Sequence, residues 1–173
     1  MHELNWEHPE LKVASDPDRR AVRRLLQGWW REQVLGLSPG RDGRGRPRNN
    51  LLPCSAVSED PGLNFLTSEV VEYVEARVPL ILAQEGTIDL NRLRRNLLSS
   101  MPMCFNLFGM LRAHKQSSAR ILSQVTGLDV ARLEEIEVEW TPQGKHPLGE
   151  RTAFDAWMTY RDSGVSRCFF GIE

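Results

Sequence analysis

Asp155 and Glu173, near the end of the chain, are the side chains whose types and spacing point most clearly to chemistry. Two apolar-rich runs, residues 152–160 and 165–172, flank the tripeptide Asp162-Ser163-Gly164. A three-residue loop with glycine at its left-handed position is a common way to close a β-hairpin. The pattern therefore predicts a hairpin with one acid on each arm.

The predicted closure, with Arg161 facing Val165, fixes which side chains share a face. One face is then apolar throughout and is expected to pack on a core, with the predicted pairs Phe154–Ile172, Ala156–Phe170 and Met158–Cys168. The other face carries Asp155 opposite Gly171, with Glu173 as its diagonal neighbour. We expect the two carboxylates to meet beside a residue that has no side chain.

Paired carboxylates have two interpretations. Hard divalent cations such as Mg²⁺ take carboxylate oxygens and keep several waters, which suits them to phosphate chemistry. The alternative is an ordinary hairpin with two acids that face solvent. The spacing alone leaves both open.

Several strings in the second half of the chain resemble the PD-(D/E)xK nuclease superfamily, and in particular a bacterial restriction-endonuclease-like branch of it. They are RRNLLSSMPMCFNLFG (residues 94–109), EVEW (137–140), RTAFDAW (151–157) and FFGIE (169–173). The resemblance implies hydrolysis of double-stranded DNA with Mg²⁺ or Mn²⁺ as cofactor. On it, Asp155 matches the motif Asp and Glu173 matches the Glu of Glu-x-Lys, so both are candidate catalytic residues and metal ligands. Glu137 or Glu139 is the third candidate carboxylate if their strand lies beside the hairpin, and Glu139 is the one included among the metal ligands. The alternative for both is an acidic solvent face on an edge strand.

The chain departs from the superfamily motif at its end. The Lys expected two residues after Glu173 is not in the sequence. In the motif this Lys positions the attacking water and stabilises developing charge on the phosphate. The resemblance therefore implies a C-terminally incomplete core that is cut at its active site and cleaves little or no DNA.

Arginines in the first third of the chain are the candidate contacts to DNA phosphates. Residues 36–50 are rich in Gly, Pro and Arg and lack periodicity, which predicts a flexible basic loop carrying Arg41, Arg44, Arg46 and Arg48. Arg23, like Arg31, lies on the polar face of a helix predicted over residues 18–35. A solvated linker and a solvated helix face are the alternatives.

Composition limits the function classes. With 22 Lys and Arg against 23 Asp and Glu, the net charge is −1, so contacts to nucleic acid must come from local patches. The 3 cysteines lack C-x-x-C spacing, which favours reduced thiols and a cytoplasmic location. No apolar run is long enough to span a membrane, and the scattered histidines give no zinc-site spacing.

The predicted fold is α+β within a single domain. Residues 1–110 form a helical N-terminal region, and residues 111–173 form the partial nuclease-like core, with three antiparallel strands that begin a restriction-endonuclease-like fold. A rival interpretation joins residues 117–126 and 129–136 as a helix-turn-helix, but alternation in residues 133–140 favours a strand. A non-catalytic DNA-binding or interaction module is the alternative function.

Overall fold

The computed structural model describes residues 18–84, 86, 88–142 and 153–173 of the protein. It contains both helices and a three-stranded antiparallel sheet, which confirms the predicted α+β class. The elements, in chain order, are α1 (Asp18–Trp29) with a π-helical continuation (Trp30–Val34), β1 (Gly40–Arg41), β2 (Pro47–Arg48), α2 (Cys54–Glu59), α3 (Ser68–Ala83), α4 (Leu90–Arg95), α5 (Ser100–Ala113), α6 (Lys115–Thr126), β3 (Arg132–Trp140), β4 (Phe154–Arg161) and β5 (Arg167–Ile172).

The chain divides into two compact units. The first, called here the N-terminal unit, comprises Met1–Asn64 and Asp89–Pro102, and the second, called the sheet unit, comprises Phe65–Ile88 and Met103–Glu173. The predicted single-domain organisation with a boundary at residue 110 remains a prediction. None of the helices in the described ranges is long and apolar enough to cross a membrane.

The sheet unit is built on strands β3, β4 and β5, which lie side by side in that order. Ile136, Val138 and Ala156 have no exposed surface, so the face that they share forms the core side of the sheet. Alternation of apolar and acidic residues in β3 produces this face, as the sequence pattern predicts. Because β3 begins at Arg132, residues 132–136 are extended, and the predicted second helix of a helix-turn-helix does not form.

The register of the β4–β5 hairpin differs from the predicted one by two residues. Its pairs are Ala156–Ile172, Trp157–Gly171, Met158–Phe170, Thr159–Phe169, Tyr160–Cys168 and Arg161–Arg167. The loop is Ser163-Gly164-Val165, and Val165, not Gly164, has the left-handed conformation with φ of 68°. The carboxylate of Asp162 stabilises this closure by accepting a hydrogen bond from the Ser166 N–H at 2.7 Å. A shift of two residues preserves which side chains share a face, so Ala156 and Met158 remain on the apolar face with Phe170 and Ile172. Phe154 departs from this face, because its ring lies against Gly171 and Trp157.

Helices α4 and α5 are separated by a short connection. Helix α4 ends at Arg95 and α5 begins at Ser100. Pro102 therefore lies in the first turn of α5, where proline is tolerated because its missing N–H would have no partner in the helix. In the sheet unit, α5 buries Phe105 and Phe108.

The basic segment of the N-terminal unit is an ordered hairpin, which corrects the predicted flexible loop. Gly40 pairs with Arg48 and Arg41 with Pro47. Gly40 also packs against the backbone, since a Cβ there would lie 2.4 Å from the Leu52 carbonyl oxygen. The segment is fixed further by Arg95, whose side chain donates hydrogen bonds to the carbonyls of Leu52 at 2.9 Å and Arg41 at 3.1 Å.

Candidate active site

Three acids lie near the same end of the sheet. Glu139 in β3 and Asp155 in β4 lie between the pairs Val138–Ala156 and Trp140–Phe154. Glu173 follows Ile172, whose pair with Ala156 ends the described β4–β5 ladder. The rings of Trp140 and Phe154 both lie against Trp157, so the regular alternation of faces does not continue to this end of the sheet.

The corrected register changes the surroundings of the two hairpin acids. Gly171 lies opposite Trp157 and not opposite Asp155, and the described ladder ends at the Ala156–Ile172 pair, before Asp155 and Glu173. The space above Gly171 is filled by the ring of Phe154, since a Cβ on Gly171 would lie 2.6 Å from its Cδ1. An aromatic ring therefore occupies the space in which the two carboxylates were expected to meet.

Glu139 differs from the other two acids in its backbone. Its φ is 49°, in the left-handed region, which alters the direction of the chain just before Trp140 ends β3. Its carbonyl oxygen accepts a hydrogen bond from Arg77 at 3.3 Å. Among the described residues, no group of three or more His, Cys, Asp and Glu side chains is close enough to hold a metal ion.

Asp155 is half-buried, whereas Glu173 is exposed beyond the end of β5. The buried thiol of Cys104, from α5, lies in the electrostatic field of Asp155 and Glu139. Burial, and after it the negative charges of these two acids, raises the pKa of Cys104 to about 11. The carboxylates of Asp155 and Glu139 therefore both act on the Cys104 thiol, in addition to lying between the same two pairs of the β3–β4 ladder.

The outer edge of β3 is held by two side chains of α3 that the sequence prediction missed. The Tyr73 hydroxyl accepts a hydrogen bond from the Val138 N–H at 2.9 Å and donates one to the Ile136 carbonyl at 3.4 Å. One turn later, Arg77 donates to the Val138 carbonyl at 2.9 Å and pairs with Glu137 at 2.8 Å. Arg77 is only 4% exposed. Its position within the apolar stripe of α3 was the sequence signal that could have identified it as a buried residue.

A family model described as the PD-(D/E)XK nuclease superfamily matches residues 14–173. The chain belongs to the PD-(D/E)XK nuclease superfamily. No curated protein and no solved structure matches it. Membership identifies the fold that contains the three-stranded sheet as nuclease-like. The acids near the end of its strands are therefore the candidate site residues.

The arginines of this nuclease-superfamily chain that are predicted to contact phosphate lie in the N-terminal unit. They differ in the protein groups that they already contact. Arg46 and Arg48 both pair with Asp42, at 3.1 and 3.0 Å. A hydrogen bond from the Arg46 backbone N–H is the first of several interactions that hold the pKa of Asp42 far below its usual range. Arg41 and Arg44 have exposed side chains, and Arg41 donates to the Gly45 carbonyl at 2.6 Å.

Two helix arginines that were predicted to share a polar face have different environments. Arg23 is exposed on α1, as expected. Arg31 is 1% exposed and donates hydrogen bonds to the carbonyls of Leu37 and Asn49, so it fixes local backbone and is not a phosphate contact. Burial lowers the pKa of Arg31 from its ordinary value, against an opposing effect of Glu32.

Proposed function

We propose that the protein is a metal-dependent DNA endonuclease in its chemistry, with Asp155 and Glu173 as ligands of Mg²⁺ or Mn²⁺. The observation that carries this proposal is the Ala156–Ile172 pair, next to which Asp155 and Glu173 lie on adjacent strands, in a chain of the nuclease superfamily. The donor set fits the ion, because Mg²⁺ is commonly bound by one or two carboxylates and completes its shell with water and substrate phosphate oxygens.

Glu139 is proposed as an auxiliary ligand. It lies beside Asp155 in the ladder, yet the described acids do not gather into a group of three. Two carboxylates suffice for Mg²⁺, so Glu139 is expected to contribute less than Asp155 and Glu173. The hydrogen bond from Arg77 to the Glu139 carbonyl holds this end of β3 against α3.

The chemistry follows from these positions. A bound divalent ion supplies a water with a lowered pKa and neutralises charge on the scissile phosphate. Asp155 and Glu173 would orient that ion, with the half-buried Asp155 fixed in β4 and the exposed Glu173 accessible to substrate. The motif Lys that would position the water lies two residues beyond Glu173, a position outside these 173 residues. For a polypeptide of these 173 residues we therefore expect slow cleavage or none.

Double-stranded DNA is the proposed substrate, and exposed arginines of the N-terminal unit are its proposed backbone contacts. Arg23, Arg41 and Arg44 are the strongest candidates, because Arg46 and Arg48 are already paired with Asp42. Each phosphate contact releases bound counterions, so affinity should fall steeply with salt. A DNA-binding module without cleavage is the second candidate, favoured by the ordered basic hairpin.

Nicking of supercoiled plasmid in Mg²⁺ or Mn²⁺ tests the proposal. The 173-residue chain is expected to bind plasmid and nick it slowly or not at all. A chain extended by two residues, the second of them Lys, is expected to nick it, and Asp155→Asn in the extended chain should abolish nicking. Glu59→Gln, which changes an exposed acid on α2, serves as the control and should leave nicking intact.

DNA binding by every variant without nicking by the extended chain would reject the nuclease proposal in favour of the binding module. Nicking that persists unchanged after Asp155→Asn would reject the proposed site, because Asp155 would then hold no catalytic ion. Efficient nicking by the 173-residue chain that requires Asp155 would instead contradict only the expected inactivity.

A further inference from the structure

Stacked aromatic rings run across the three strands of the sheet unit. The rings of Trp140 in β3 and Trp157 in β4 are 4.3 Å apart at 14°, and those of Trp157 and Phe169 in β5 are 4.9 Å apart at 25°. Each strand thus contributes one ring to a nearly parallel series. Both faces of Trp157 are covered by its two neighbours, so the series can grow only at its ends.

Phe169 forms an exposed end of this series. Its side chain is 67% exposed, although Trp157 beneath it is half-buried. Phe170, the next residue, points to the other side of the sheet and contacts Tyr160 edge-on. The ring of Phe169 is covered by water on one side and stacks on Trp157 on the other. It therefore offers a flat surface for another planar ring.

Positive charge lies next to this exposed ring. Arg161 and Arg167 form a directly opposed pair two residues nearer the hairpin loop than the Thr159–Phe169 pair. The side chains of Arg167 and Phe169 therefore share a face. Both arginines contact the single carboxylate of Glu134, at 2.8 and 3.2 Å, so these three side chains together carry a charge of +1. The Arg167 side chain is 67% exposed and accessible to an anion.

We propose that Phe169 binds an unpaired nucleobase of single-stranded DNA, which stacks on the free face of the ring while Arg167 contacts the adjoining phosphate. A planar aromatic surface beside a cation is the combination that single-stranded nucleic acids use, because every base has a flat face and every nucleotide a phosphate. In a duplex those flat faces are covered by neighbouring base pairs, so this site selects unpaired segments.

The inference rests on the proposed function and specifies its substrate. Trp157 and Asp155 are two residues apart on β4, so the aromatic series and the candidate metal site belong to the same strands. A strand of DNA anchored at Phe169 would continue across the sheet towards the end that carries Asp155 and Glu173. DNA with a single-stranded gap or flap is then the expected substrate in preference to a fully paired duplex.

Binding of a fluorescent oligothymidylate of about 12 nucleotides, measured by anisotropy in a chelating buffer, tests the stack. Phe169→Ala is expected to weaken binding about tenfold, the loss of one base stack, whereas Phe169→Trp should retain it. Val125→Ala removes an apolar side chain that is 79% exposed on α6 and should leave binding unchanged. A 5-iodouracil substituted into the oligonucleotide should photo-crosslink to the peptide that contains Phe169.

Equal affinity of the wild type and Phe169→Ala, or a crosslink confined to other peptides, would overturn the proposal. A dimer in sedimentation that becomes monomeric in Phe169→Ala would also overturn it, because a second copy of the chain would then cover the ring. Since the buffer contains no free divalent ion, loss of oligonucleotide binding in Phe169→Ala stands even if no variant nicks plasmid. Failure of the metal site and failure of the stack are therefore distinguishable.

Discussion

At the scale of single residues, Cys104 records the electrostatics of the candidate site. Its pKa is raised to about 11 by burial first, and then by Asp155 and Glu139. A thiol reacts through its thiolate, and with this pKa only about one in a thousand Cys104 side chains is ionised near pH 8. The thiol should therefore be inert in the folded protein.

Alkylation with iodoacetamide near pH 8, followed by mass spectrometry of peptides, measures this inertness. The exposed Cys54 is expected to react first, and Cys104 only after unfolding in guanidinium. Equal labelling of the two residues in the folded protein would show that Cys104 is neither buried nor surrounded by negative charge. Cys54→Ser provides the control, because it removes the fast reaction without altering the sheet unit.

Other single residues illustrate what sequence patterns could not provide. The alternation of β3 predicts its buried face. The hairpin register was wrong because it was assigned from Gly164, whereas Asp162 determines the closure through its side chain and Val165 adopts the left-handed conformation. Such a side-chain hydrogen bond leaves no periodic signal.

At the scale of elements, α3 stabilises the free edge of β3 through Arg77. Replacing Arg77 by Met removes hydrogen bonds to the carbonyls of Val138 and Glu139 and leaves Glu137 without its partner. Loss of a buried charged partner of this kind typically lowers the free energy of unfolding by about 3 kcal/mol. Guanidinium denaturation followed by circular dichroism measures the change.

Arg112→Met is the matched comparison. Arg112 also links a helix to an acid of β3, at 2.8 Å from Glu135, and lies over the ring of Tyr73 at 4.9 Å. Because its side chain is 39% exposed, water screens the ion pair, and the expected loss is about 1 kcal/mol. Equal losses in the two variants would contradict the assigned role of Arg77.

Elements also show where propensity misled the sequence analysis. Residues 36–50 were expected to be flexible from their glycines, prolines and arginines, yet Asp42 organises them into a hairpin by accepting hydrogen bonds from Arg44, Arg46 and Arg48. Composition alone does not reveal such tertiary and side-chain bonds.

At the scale of the whole molecule, charge is distributed unevenly. The net charge of −1 combines exposed arginines in the N-terminal unit with acids near one end of the sheet. The superfamily match over residues 14–173 gives the fold a nuclease-like identity, and the metal proposal adds Asp155 and Glu173 to it. Metal binding can be examined apart from cleavage, because carboxylates alone can hold a divalent ion.

Binding of Mn²⁺ to the 173-residue chain, measured by electron paramagnetic resonance or calorimetry, tests the central claim most directly. A site shared by Asp155 and Glu173 predicts that Asp155→Asn and Glu173→Gln each weaken binding by at least about tenfold, as one of two anionic ligands is lost, while Glu59→Gln binds as the wild type does. Wild-type affinity in both Asp155→Asn and Glu173→Gln would contradict the claim.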